Sequence, residues 1–188
     1  MRHPGLVASV VVATLAVVAP VGAGDATPGA AGPPSRLPPD LVLVDLEGRR
    51  STPADFTGRL VAFDFWATWC TPCVRERAGL AELQRAHGPG ELVILSVNLD
   101  HTDRSSLASW LNRYRLDWPQ FYEPLGEAGP LARTFAVSST PWIVVYDASG
   151  SLLGAGQGTR IIEEALESRA RVAPDLAGRA PANGTGER

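Results

Sequence analysis

The chain has 188 residues, 45% hydrophobic and 20% charged, which is enough apolar material for one globular core with dispensable ends. Its 17 Lys and Arg against 20 Asp and Glu give a net charge of -3, so no basic field awaits a phosphate backbone and nucleic acid is disfavoured as a partner. Two cysteines cannot build a disulfide framework.

The chain opens with Arg2 and His3, then the apolar run Leu6 to Val18, then Pro20 and the small-residue stretch Val21-Gly22-Ala23. Basic start, apolar middle and small-residue end are the order of a secretory signal, with cleavage expected after Ala23. The same segment, residues 1–23, also has nearly the length of a retained membrane anchor. Either reading places the remainder outside the cytosol, in the periplasm or an equivalent extracytoplasmic space, where cysteine pairs meet an oxidising environment. Residues 24–40 are rich in Pro, Gly and Ala and read as a linker, and residues 173–188 read as a disordered tail. The folded domain is expected over residues 41–172.

Within those limits, Leu41 to Leu46 suggests a strand entering a turn at Glu47-Gly48. Leu60 to Trp66 and Leu92 to Leu99 are near-continuous apolar runs suited to strands buried on both faces. Between them, Cys73 to His87 is rich in helix formers and stops at Gly88-Pro89. Strand, helix, strand makes a right-handed βαβ unit with two parallel strands. Thr102 or Asp103 can cap a helix over residues 104–114, and a shorter helical piece is expected over residues 127–135 despite Gly129-Pro130. Trp142 to Asp147 and Ser151 to Ala155 form a hairpin around Gly150, and a last helix runs from Arg160 to Val172 with Thr159 as its cap. The fold class is α/β.

Cys70 follows the apolar strand directly, and Pro72 stands in the first turn of the helix, where a missing N–H is harmless. Cys70 therefore sits at a helix N-terminus, whose free N–H groups and dipole favour a thiolate. Cys73, one turn on, is within reach to close the disulfide and resolve a mixed disulfide. A staple closing so short a loop removes little unfolded-chain entropy, so the pair suits redox exchange better than stabilisation. A zinc site would need two further ligands, and His87 and His101 lack ligand spacing, so no metal is assigned. Asp64, an acid inside an otherwise apolar strand, is costly to bury unless it has a role. Its other outlet is the sheet edge and water.

The stretch Phe63-Asp64-Phe65-Trp66-Ala67-Thr68-Trp69-Cys70-Thr71-Pro72-Cys73 resembles the active-site segment of thioredoxins, and most of all the exported TlpA/ResA group of thiol:disulfide oxidoreductases. The resemblance implies a thioredoxin fold, a central mixed sheet with flanking helices. It implies that Thr140-Pro141 is the family's cis-proline, which with Trp69 meets the substrate, while Pro141 as a plain strand start is the alternative. It implies that Asp64 accepts the proton of Cys73. Glu76 matches the acid near the dithiol of the ResA type, and as a residue it could equally be a solvated helix side chain. Two departures stand out: Ala78 replaces a helix-kinking proline, and Ser96 replaces a lysine, leaving the charge partner of Asp64 in doubt.

The function so implied is an extracytoplasmic reductase of protein disulfides, apocytochrome c being one such client, re-reduced by a membrane electron donor and needing no cofactor. An oxidase is the same chemistry reversed, because direction depends on reduction potential. Ala67 stands where a peroxidase of this fold carries threonine, which argues against peroxide chemistry. A copper or haem carrier using Cys70 and Cys73 as soft ligands is the non-catalytic alternative.

Overall fold

The computed structural model describes residues 32–114, 116 and 118–177. The expected leader at residues 1–23 lies outside them. The part of the expected linker that is described packs onto the domain: the Leu37 amide donates to the Gly150 carbonyl, the Leu152 amide to the Ser35 carbonyl, and Leu37 is buried. Ordered structure thus starts before Leu41, because Leu37 gives this Pro-rich segment an apolar side chain to bury and its backbone pairs with the hairpin.

Strand β1 (Leu43–Val44) pairs antiparallel with β2 (Arg50–Ser51). It is shorter than the expected 41–46 because the Asp45 carboxylate accepts the amides of Glu47 and Arg49 and turns the chain. The apolar runs form β3 (Leu60–Trp66) and β4 (Leu92–Asn98), every residue of each buried, and they pair in parallel. Between them lies α1 (Thr71–Glu91), helical through Ala78 and broken only at Gly88 (φ 64°), beyond which Pro89 starts a last short turn. The helix α2 (Arg104–Tyr114) spans the expected residues, with Asp103 as cap: its Oδ1 accepts the Ser106 amide at 2.9 Å.

A strand that sequence patterning does not reveal, β5 (Gln120–Tyr122), pairs in parallel with β4. Its three residues, within the four that separate Pro119 from Pro124, are too few to show a period. The expected piece at 127–135 divides into a 3-10 turn, Gly126–Ala128, and helix α3 (Pro130–Thr134). The hairpin forms β6 (Trp142–Tyr146) and β7 (Leu152–Gly156), with Gly150 at φ 79° in its turn. Helix α4 (Arg160–Ala177) continues past the expected end at Val172.

The sheet order is β5-β4-β3-β6-β7, so β3 is central, parallel to β4 and antiparallel to β6. Because side chains alternate across a strand, β3 divides its residues between two cores. Val61, Phe63 and Phe65 pack with Leu95, Val97, Val144, Tyr146 and Phe135 on one face. Leu60 and Ala62 pack with Ile94, Ile143, Leu80 of α1 and Ile162 and Leu166 of α4 on the other. Each such large side chain, taken from water, contributes about 1.5–3 kcal/mol. Asp64 shares the parity of Ala62 and therefore looks toward the α1 face.

Candidate active site

The Cys70 side chain caps α1. Its Sγ accepts the Cys73 amide at 3.2 Å, and its carbonyl accepts the Val74 amide at 3.1 Å. The two sulfurs are joined at 2.06 Å, with Cα atoms 5.3 Å apart. Both cysteines are buried, at 5% and 2% exposure, while Trp69 beside them is 65% exposed. The loop that presents them is tied down from behind: Asp100 Oδ1 accepts the Thr68 amide at 2.9 Å, and Trp66 O accepts the Leu99 amide at 2.8 Å. Cys70 and Cys73 pack in one cluster with Trp66, Ala67 and Leu107.

The Thr140-Pro141 bond is cis, and Pro141 is buried. Pairing of Phe65 with Trp142 places Pro141 at the same end of the sheet as the dithiol. Asp64 is buried at 2% exposure rather than turned to a sheet edge, since β3 has neighbours on both sides. Glu76 is half-buried on α1, and its Oε2 is enclosed with no hydrogen-bond partner.

With serine in place of the lysine at position 96, the charge partner of Asp64 comes from another element. Arg77 of α1 is buried at 5% exposure, and its Nη2 lies 3.4 Å from Asp64 Oδ2. Ser96, opposite Asp64 in the parallel register, joins the two: its hydroxyl donates to Asp64 Oδ2 at 2.7 Å and accepts from Arg77 Nη1 at 3.3 Å. Trp118 Nε1 donates to the same hydroxyl at 2.8 Å, which uses its one donor and both acceptor positions. The Arg77 guanidinium also lies 3.6 Å from the centre of the Trp66 ring, a cation–π contact. Sequence reasoning missed Arg77 because it sits in an Arg-Glu-Arg run that reads as a solvated face. The signal was its spacing, four residues after Cys73 and three before Leu80, both core positions.

Burial raises Glu76 above the ordinary carboxylate value, the Asp64 charge adds to this, and Arg77 opposes it. Burial pushes the Arg77 guanidinium below its usual value, against the Asp64 and Glu76 carboxylates. For Glu76 the sign is clear: a carboxyl raised in the fold holds its proton longer than in the unfolded chain, so its charge lowers stability above the folded value and has no effect at acid pH. Glu76→Gln is therefore expected to melt at a higher temperature than wild type at pH 7.5, the gap closing toward pH 4. A lower melting temperature at pH 7.5 would contradict this account.

A capped, buried CxxC disulfide at the N-terminus of α1, with a cis-proline at the same end of a five-strand mixed sheet, defines a thioredoxin-fold thiol:disulfide oxidoreductase. The chain belongs to the AhpC/TSA family, whose model matches residues 34–155, and within it is of the TlpA/ResA type. It is 27% identical over 136 residues to the thiol-disulfide oxidoreductase ResA of Bacillus thuringiensis, covering 72% of this chain and 76% of that one. Among solved structures it is similar to a thiol:disulfide interchange protein DsbE from Chlorobium tepidum, at 25% identity and a TM-score of 0.61, over 77% of this chain and 99% of that one. The C-terminal domain of a thiol-disulfide oxidoreductase from Bacteroides thetaiotaomicron shares the fold at 19% identity, with a TM-score of 0.63 over 71% of this chain and 93% of that one. Thiol-disulfide exchange with protein thiols is thus the activity of this chain.

Proposed function

We propose that the protein is an extracytoplasmic reductase of protein disulfides, of the kind that serves cytochrome c maturation. The observation that carries the mechanism is the capping geometry: Cys70 Sγ receives the Cys73 amide at the start of α1, where a thiolate is stabilised, and Cys73 lies deeper. Cys70 attacks the client disulfide and forms a mixed disulfide. Cys73 then attacks Cys70, the client leaves as a thiol, and Asp64, with Glu76 as the second nearby acid, takes the proton of Cys73. Exposed Trp69 and half-buried Thr140, just ahead of the buried cis-Pro141, are the residues that meet the client chain. The likeness to proteins named ResA and DsbE and the signal-like order of residues 1–23 support the location and the client class. A membrane electron donor would return the dithiol to its reduced form. Among the described residues no helix is long and apolar enough to cross a membrane, and anchoring would rest with the N-terminal segment.

The reduction potential, measured against glutathione, decides the direction. A reductase is expected well below about -200 mV, and a value far above it would make the protein an oxidase instead.

A further inference from the structure

Asp64 is the one acid within β3, and everything polar that touches its Oδ2 converges from other elements. Ser96 of β4 donates to it, Arg77 of α1 pairs with it, and Trp118, ahead of β5, fixes the Ser96 hydroxyl. Among the described residues, the charged and titratable groups that act on this cluster are Asp64 itself, Glu76 and Arg77 of α1, and the two cysteines at the start of that helix. From β4 and β6 the register neighbours are the neutral Ser96 and Ile143. Cys73 and Arg77 are four apart on α1 and share a face, and the Trp66 ring under the guanidinium belongs to the cluster that holds both cysteines. Arg77 Nε and Nη2 are enclosed with no hydrogen-bond partner, so the guanidinium is held there by charge and ring contact rather than by a full set of hydrogen bonds.

We propose that Arg77 is a positioning residue for proton exchange at the dithiol: by its ion pair with Asp64 and its hydrogen bond to the bridging Ser96, it holds the buried acid as an oriented carboxylate. On the dithiol reading given above, on which this role rests, the carboxylate is the form that can accept. As Cys73 Sγ bonds to Cys70 Sγ, the bond from Cys70 to the client sulfur breaks and the client sulfur departs with the electron pair. The Cys73 proton passes to Asp64 and from there to solvent. Without the guanidinium the buried carboxyl is held by Ser96 alone, and removal of the Cys73 proton waits for hydroxide, which only a raised pH supplies. A cation delivered by α1 from four residues beyond Cys73 does what a strand lysine at the position of Ser96 would do.

Single-turnover reaction of the reduced full chain with an aromatic nitrobenzoate disulfide separates the steps, because the first thiolate released reports attack by Cys70 and the second reports resolution by Cys73. In Arg77→Met the second release is expected to fall at least about tenfold at pH 6 and to recover toward pH 9, with the first release little changed. Arg77→Lys should keep most of the wild-type profile, and adding Arg77→Met to Asp64→Asn should slow the second release little further, because Arg77 acts through Asp64. A folded Arg77→Met with the wild-type profile, or slowed by one factor at every pH, overturns the role. So does an Arg77→Met change that slows the second release as much in Asp64→Asn as in the wild-type chain. If Arg77→Met does not fold, the pairing requires Arg77→Met/Asp64→Asn to fold, since no buried charge is then left alone; a double variant as unfolded as the single one overturns it. Failure of the dithiol reading looks different: a Cys73→Ser variant would then give the same second release as wild type.

Discussion

Cys70→Ser is expected to abolish the reduction of insulin, a loss of at least about a thousandfold, because no other thiol outside the pair exists to attack the disulfide. Cys73→Ser should fail differently. Its Cys70 keeps the helix N-terminus that stabilises the thiolate, so the first step proceeds and the mixed disulfide has no resolving thiol. Turnover stops while a covalent adduct builds up, visible as a mass increase that a reductant removes. The burial of the two residues points to the same order, with Cys73 at 2% exposure and Cys70 at 5%. Insulin reduction by Cys70→Ser at the wild-type rate would refute the mechanism. Adducts in Cys70→Ser but not in Cys73→Ser would reverse the roles.

The parts of this site that the sequence displays are those set by local physics. A continuous apolar run, a CxxC and a proline in the first helical turn are enough to put Cys70 at the end of a strand and the start of a helix, and they do so. Asp64 could be singled out because a charge inside such a run is costly, and β3 proves to be the central strand. What could not be read is what other elements bring to that acid. Arg77 lies beside Asp64 only once α1 has packed on β3, and Ser96 becomes its bridge only through the parallel register. The short strand β5 and the ordered residues ahead of Leu41 escaped for the same reason: each is stabilised by pairing with a distant segment rather than by its own pattern.

Gly129 is the position where that distant support predicts the largest loss of stability. Glycine caps α3 and Pro130 opens it, so neither a cap side chain nor the first amide is available, and the Leu131 amide needs an acceptor. Glu123, eight residues upstream and 4% exposed, supplies it: its Oε2 accepts the Leu131 amide at 3.0 Å. The glutamate side chain crosses directly over Gly129, where a β-carbon would lie 1.9 Å from its Cδ. The backbone there is ordinary (φ -72°), so the constraint is space alone. Gly129→Ala must expel Glu123 from a buried site, leave the Leu131 amide unpaired and shift the helix that carries Ala132 and leads into Phe135, both fully buried against Phe63 and Phe65. A loss of about 3 kcal/mol is expected in urea unfolding. Glu123→Ala removes the obstructing side chain along with its hydrogen bond, so adding Gly129→Ala to it should cost little more, and a double-mutant cycle would show strong coupling. Two full, additive losses would mean that some contact other than Glu123 excludes a side chain at Gly129.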